Sequence, residues 1–254
     1  MPTEPRSFRV EAVVLRHSDY GEADRILTLY TRERGKLRAI AKGARKIASR
    51  KAGHLEPFTR VTLQLAKGRD LLIVTQAETV DVYQSLRDDL VRTGYAAYVI
   101  ELLDRFVPDE EAATPSLYRL LTETLSRLAT LSDGWLAVRY YEMRLLDFLG
   151  FRPKLFECAN CDEEIQAEAQ YFSAMLGGAI CPHCGQGLQS LWPISVEALK
   201  YLRHFQRSGY TEASRARPDA ETQKEIETVM QGYFTYLLER ELNTPGFIKR
   251  VKAS

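Results

Sequence analysis

From Phe8 to Leu15 apolar and polar positions alternate, with Phe8, Val10, Ala12 and Val14 set against Arg9, Glu11 and Val13, the two-residue period of a half-buried strand. A turn around Asp19-Tyr20-Gly21-Glu22 leads to the β-prone run Ile26 to Tyr30. Gly35 then punctuates, and Lys36 to Lys42 alternates again, with Leu37, Ala39 and Ala41 on one face and Lys36, Arg38 and Lys42 on the other. Pro57 ends the loop that follows. Val61, Leu63 and Leu65 form a fourth strand, and Leu71 to Thr75 a fifth after the turn Lys67-Gly68-Arg69. Five short strands with turn signals and no helical segment predict a small β-barrel over residues 1 to 80. The OB-fold is the common five-stranded choice and offers a strand face and loops to oligonucleotides; an SH3-like barrel satisfies the same pattern.

Past Asp81 the period changes to 3.6. Tyr95, Tyr98, Val99, Leu102, Leu103 and Phe106 share one helical stripe that Pro108 stops. Thr114 as N-cap and Pro115 at the first helical position open a second helix, which Asp133-Gly134 breaks. Trp135 to Leu149 is a third, with Gly150 as its C-terminal cap. Ser195 caps a helix carrying Val196, Leu199 and Leu202, and a polar stretch from Arg207 to Asp219 precedes a last helix with Ile226, Val229, Met230, Tyr233 and Leu237. The predicted architecture is α+β and multidomain: a barrel, then an antiparallel helical bundle over residues 81 to 254 interrupted at about 155 to 190.

That interruption holds Cys158-Ala159-Asn160-Cys161 and Cys181-Pro182-His183-Cys184, the only four cysteines in the chain. Two Cys-x-x-Cys turns at this separation bring four thiolates to the corners of a tetrahedron, the arrangement of a structural zinc site. One Zn2+ per chain is expected, held by Cys158, Cys161, Cys181 and Cys184, with His183 projecting from the knuckle tip. Four protein ligands leave no position for water, which argues against catalytic zinc. There is no phosphate-binding Gly-x-x-x-x-Gly-Lys-Ser/Thr loop and no His-Glu-x-x-His pair, and Pro218-Asp219-Ala220-Glu221 with Lys224 reads as a helix start rather than a nuclease carboxylate set. No enzyme activity is expected.

Charge changes the picture more than composition does. The net charge of +1 divides into +7 for residues 1 to 80 and −6 for the remainder. Residues 32 to 51 alone carry nine Lys or Arg against Glu33. Such runs are often solvated faces only, but this concentration at one end of the molecule suits a phosphate-backbone partner. The candidate contacts are Arg34, Lys36, Arg38, Lys42, Arg45, Lys46, Arg50 and Lys51. No apolar run approaches membrane-spanning length, and Met1 to Arg6 lack the features of a signal peptide, so a cytoplasmic location away from any membrane is expected.

Tyr20 to Thr31, Gly35-Lys36-Leu37, Ala41 to Lys46, Leu55-Glu56-Pro57-Phe58 and Leu149-Gly150-Phe151-Arg152-Pro153 together resemble the RecO family of bacterial recombinational repair proteins, in order and over nearly the whole chain. The resemblance implies an N-terminal OB-fold, a helical domain and a zinc knuckle. It also implies binding of single- and double-stranded DNA at the basic cluster, annealing of complementary strands, and loading of RecA, together with RecR, onto DNA coated with single-stranded-DNA-binding protein. The acidic, apolar-tipped C-terminal tail of that coating protein is expected to meet the helical region beside one of Arg119, Arg127, Arg139, Arg144 or Arg203. Some members lack the cysteines, which makes the metal a stabilising element. A nucleoid-associated location follows from the same resemblance. The competing reading is a zinc-containing RNA-binding or transcription-associated adaptor.

Overall fold

The computed structural model describes residues 6–109 and 112–253; the first five residues, on which the signal-peptide reading partly rests, lie outside them. Strands β1 (Ser7–Tyr20), β2 (Asp24–Thr31), β3 (Gly35–Ala41), β4 (Arg60–Ala66) and β5 (Leu72–Asp81) close into a barrel in the order β1-β2-β3-β5-β4. All pairings are antiparallel except β3 with β5, which meet in parallel through Ala39 opposite Leu72 and Ile40 opposite Ile73. This order is that of the OB-fold, not of an SH3-like barrel. The alternation fills the interior: Val10, Ala12, Val14, Leu27, Leu29, Ala39, Ala41, Val61, Leu63, Leu65 and Val74 are buried together, with Ala44 and Leu55 from the β3–β4 loop.

The chain forms two compact units. The first takes the barrel, the helices up to Ser132, and Thr244–Ser254; the second is Asp133–Asn243. The single bundle expected over residues 81 to 254 is therefore divided, because α1 (Leu90–Phe106) and α2 (Pro115–Thr130) are tied to the barrel. Arg16 on β1 meets Asp104 on α1 at 2.8 Å. Glu11 on β1 accepts from Arg60 Nε at 2.7 Å and from the Tyr118 hydroxyl of α2 at 3.0 Å. A short helix that no hydrophobic stripe foretells, α8 (Thr244–Lys252), packs against α1. A Cβ at Gly94 would stand 2.9 Å from the Ile248 side chain, so the glycine permits this close approach.

In the second unit α3 (Trp135–Leu149) ends at Gly150, whose φ of 78° is the left-handed C-cap. The cysteine segment folds as a small sheet, β7 (Gly178–Ile180), β6 (Gln170–Ser173), β8 (Trp192–Ile194) in that order, with the single turn α4 (Pro182–Gly185). Helices α5 (Val196–Arg207), α6 (Tyr210–Ala213) and α7 (Ala220–Leu238) follow. Ser195 accepts from the Ala198 amide at 3.1 Å and Asp219 from the Thr222 amide at 2.8 Å, the side-chain caps that satisfy otherwise orphaned donors. Buried Arg139 and Glu142 pair at 2.9 Å on α3.

Candidate nucleic-acid interface and metal centre

Strand β3 turns Leu37, Ala39 and Ala41 inward, and Arg38 and Lys42 stand exposed on the opposite face. Lys36 does not join them. It is only 6% exposed, its ammonium 2.8 Å from the Asp104 carboxylate and 3.3 Å from that of Asp109, and it donates to the carbonyls of Asp104 at 2.5 Å and Val107 at 2.9 Å. A cation with four oxygen partners at the end of α1 is a fastener for that helix, not a group projecting into water. The sequence period placed Lys36 on the outward face correctly; what it could not show is that α1 covers that face at this point.

Burial would raise the Asp104 carboxyl, but Lys36 and Arg16 outweigh it and hold it below the usual range. A depressed carboxylate contributes stability above its unfolded pKa, near 4, and loses it as pH falls through the folded value. Lys36→Met should therefore destabilise the protein by about 3 kcal/mol at neutral pH, as expected for breaking one side of a largely buried ion pair, and shift acid unfolding to higher pH. The salt dependence of DNA affinity should stay as in the parent. Denaturant titration and filter binding check the two halves; a changed salt slope in a folded variant would return Lys36 to the interface.

After β3 the chain leaves the barrel through Gly43, whose φ is 66°, with its amide donating to Asp24 Oδ1 at 2.7 Å. Ala44 dips back into the core. Arg45 is tied to the β1–β2 hairpin: its amide donates to the Ala23 carbonyl at 2.9 Å, and its guanidinium lies 3.3 Å from the Asp19 carboxylate and from the Gly21 carbonyl. Lys51 donates to the Val74 carbonyl at 3.1 Å, and Arg34 lies over the Phe8 ring at 3.9 Å. Arg38, Lys42, Lys46 and Arg50 remain exposed and without an ion-pair partner among the described residues. Two cations join them that the sequence offered only as a turn. Lys67 and Arg69 line a cleft of about 380 Å³ with Arg38, Leu37, Leu71 and Leu72, beside Asp70 and Asp109. The tightness of that turn depends on Gly68, where a Cβ would fall 2.1 Å from the Leu71 carbonyl oxygen.

The four cysteines converge. Their sulfurs all lie within 4.8 Å of one another, and Cys161 and Cys181 are 3.9 Å apart. A tetrahedron with metal–sulfur bonds of about 2.3 Å has edges of about 3.8 Å, so the set fits a metal ion with small adjustments. Backbone amides support it: Cys181 N–H donates to Cys158 Sγ at 3.4 Å and Cys184 N–H to Cys181 Sγ at 3.5 Å. Burial alone would raise the Cys158 thiol, yet the amides of Cys181, Cys161 and Asn160 bring it down to about 6. The Glu163 amide lowers Cys161, but burial and the neighbouring sulfurs push it up to about 12. Four thiols at this range resist becoming anions together unless a cation joins them. Close packing fixes the second knuckle, since a Cβ at Gly185 would stand 2.4 Å from the Tyr171 ring. Exposed His183 is outside the cluster.

The profile for "Recombination protein O N terminal" matches residues 6–83, and that for "Recombination protein O C terminal" matches residues 87–245. The chain is similar to the DNA repair protein RecO of Roseiflexus sp. (strain RS-1), with 41% identity over 97% of this chain and 87% of the relative. It is also similar to DNA repair protein RecO of Dehalococcoides mccartyi (strain ATCC BAA-2266 / KCTC 15142 / 195), with 37% identity over 94% of both chains, and of Geobacter metallireducens (strain ATCC 53774 / DSM 7210 / GS-15), with 36% identity over 97% and 98%. The chain belongs to the RecO family. It is thus a DNA repair and recombination protein, of a family of mediators without known catalytic activity. The RNA-binding or transcription-adaptor reading draws no support from these matches. No helix among the described residues is long and apolar enough to cross a membrane.

The five arginines considered for a RecO partner tail separate by environment. Arg139 is buried against Glu142. Arg144 holds the carbonyls of Phe205 at 2.8 Å and Gln206 at 2.6 Å, and Arg203 holds that of Leu155 at 2.8 Å. Arg127 pairs with Glu123 at 2.7 Å. Arg119 alone is mostly exposed, with only a long 3.7 Å approach to Glu123. Sequence reasoning passed over an open cleft of about 740 Å³ in the second unit, between α5 and the α6 turn, where Lys200, Tyr201, His204, Arg215 and Arg217 gather beside Glu197 and Glu212.

Proposed function

We propose that this RecO-family chain is a non-catalytic mediator that binds single- and double-stranded DNA, anneals complementary strands, and acts with RecR to help load RecA onto DNA coated with single-stranded-DNA-binding protein. The observation that carries the reading is the set of exposed cations without an ion-pair partner among the described residues, Arg38, Lys42, Lys46 and Arg50, on one strand and loop of an OB-fold, extended by Lys67 and Arg69. Arg34, Arg45 and Lys51 border this set and contribute to its field, while Lys36 acts through the scaffold. Cations in this number neutralise phosphates on two strands at once, reducing the repulsion that opposes pairing. The four-cysteine site holds one structural Zn2+, its all-thiolate tetrahedral set suiting a soft or borderline ion and not a hard cation such as Mg2+ or Ca2+. A cytoplasmic, nucleoid-associated location goes with this activity.

The coating protein's acidic tail is assigned to the α5–α6 cleft, where Lys200, Arg215 and Arg217 and the rings of Tyr201 and His204 gather at one opening beside Glu197 and Glu212. Four of the five arginines are committed within the fold; in the cleft Lys200 pairs with Glu197 at 3.0 Å and Arg217 holds the Ser214 and Ala216 carbonyls at 2.9 and 2.7 Å, so exposed Arg215 is the cation assigned to the tail. The test is annealing of strands coated with the single-stranded-DNA-binding protein, compared with strands coated by a tail-deleted form. The full chain should anneal the first pair at least tenfold faster, and Arg215→Glu should reduce that advantage without changing the annealing of bare strands. No annealing of bare strands at low salt would remove the proposed function; annealing indifferent to the tail and to Arg215 would remove the cleft assignment alone.

A further inference from the structure

The basic loop carries one residue that its electrostatics do not explain. Ile47 is fully exposed, a costly place for a β-branched aliphatic side chain. It sits at a defined position. The amide of Ser49 donates to the Lys46 carbonyl at 2.9 Å, which makes Lys46 to Ser49 a tight turn with Ile47 and Ala48 at its corners. That turn is rooted at both sides, by buried Ala44 and hairpin-bound Arg45 before it and by Lys51 on the Val74 carbonyl after it. Exposed Lys46 and Arg50 flank the tip.

A second exposed ring stands on the hairpin to which Arg45 is tied. Among the four aromatic residues of residues 1 to 80, Tyr30 is buried and Phe8 and Phe58 are half-buried, whereas Tyr20 is 55% exposed. It follows Asp19 and precedes Gly21 and Glu22, the three residues that meet the Arg45 guanidinium. Arg45 therefore fastens the Ile47 turn to the segment bearing Tyr20.

We propose that Ile47 and Tyr20 are base-contacting residues, Ile47 a wedge that enters between neighbouring bases and Tyr20 a platform on which an unstacked base lies. The proposal rests on the DNA-binding reading and adds to it a function the cations cannot supply: opening stacked or folded segments of a strand so that its bases are free to pair. Apolar wedges beside phosphate-holding cations are a general means of separating base steps, and an aromatic face accepts any base. The surrounding cations select a nucleic acid over a neutral apolar partner. A single aliphatic side chain is too small an anchor for a lipid surface.

The test places 2-aminopurine within a single-stranded oligonucleotide, where its fluorescence rises on unstacking. The full-length protein should raise the signal. Ile47→Ser should abolish most of that rise while changing affinity less than about threefold and leaving the salt slope intact. Tyr20→Leu should weaken affinity about tenfold, the scale of one lost base stack. Annealing of strands that form internal hairpins should fall about tenfold in Ile47→Ser, and annealing of unstructured strands should not. If the parent protein binds the oligonucleotide with no fluorescence change, the wedge is refuted and DNA binding stands; if it does not bind at all, the proposed function fails first. An unchanged rise in Ile47→Ser refutes the wedge, as does binding to anionic vesicles that Ile47→Ser abolishes with the DNA signal intact.

Discussion

In the Cys158→Ser variant we expect the metal to be lost and the knuckle to unfold. Cys158 is the fully buried member of the set and receives the Cys181 amide at 3.4 Å. Replacing it leaves three sulfurs and no closed tetrahedron. Structural zinc binding is worth on the order of 10 kcal/mol at neutral pH, comparable with the entire stability of an ordinary domain, about 5–15 kcal/mol. The parent protein should contain one zinc per chain by elemental analysis, and the variant close to none. Its second unit should lose a cooperative thermal transition that the parent shows. DNA affinity at fixed salt should change by less than about threefold, because the basic strand and loop belong to the other unit. A folded variant that had lost DNA binding would make the knuckle a DNA contact, and a parent protein free of metal in reducing buffer would refute the zinc assignment.

Replacing Lys42, Lys46 and Arg50 together with alanine should weaken single-stranded DNA of every sequence alike. Each phosphate contact on a single strand releases about 0.7 counterions, so three lost contacts flatten the log-log salt slope by about 2 and reduce affinity about a hundredfold at about 0.1 M salt. All three side chains are exposed and lack ion-pair partners among the described residues, so stability should move by no more than about 0.5 kcal/mol. The contrast with Lys36→Met is the informative one: the triple variant loses binding and keeps stability, and Lys36→Met does the reverse. Normal affinity and slope in the triple variant would show the loop to be a solvated face and send the search for the DNA site elsewhere.

The barrel was legible where one face of each strand meets the core, and less so where it does not. Leu37, Ala39 and Ala41 reported β3 through their alternation, and Val61, Leu63 and Leu65 reported β4. The last part of β1, from Arg16 to Tyr20, and of β5, from Gln76 to Asp81, carry mainly polar residues paired to a neighbouring strand, with small Ala77 against the core, so no hydrophobic period marked their continuation. The cysteine spacing disclosed the metal site because only a few geometries fit it. The sheet of β6, β7 and β8 escaped notice because each strand has three or four residues, too few for a period to show. Lys36 shows the limit in the site itself: period determines which way a side chain points but not what lies over it. Lys67 and Arg69 were visible as charges, and their approach to Arg38 is a fact of barrel closure through the parallel β3–β5 pairing.

The return of α8 to α1 bears on the order in which the protein can be made. The amide and hydroxyl of Thr244 both donate to Glu101, at 2.9 and 2.6 Å, across 143 residues of chain. The whole second unit is synthesised between these partners. A ribosome-bound chain carrying the barrel, α1 and α2 thus waits with one face of α1 uncovered until α8 emerges, and non-local contacts of this separation form late. During that interval Gly94 and the apolar side chains around it are open to other chains. Crowded expression should expose this weakness first as aggregation of nascent protein, at temperatures where the finished molecule is stable.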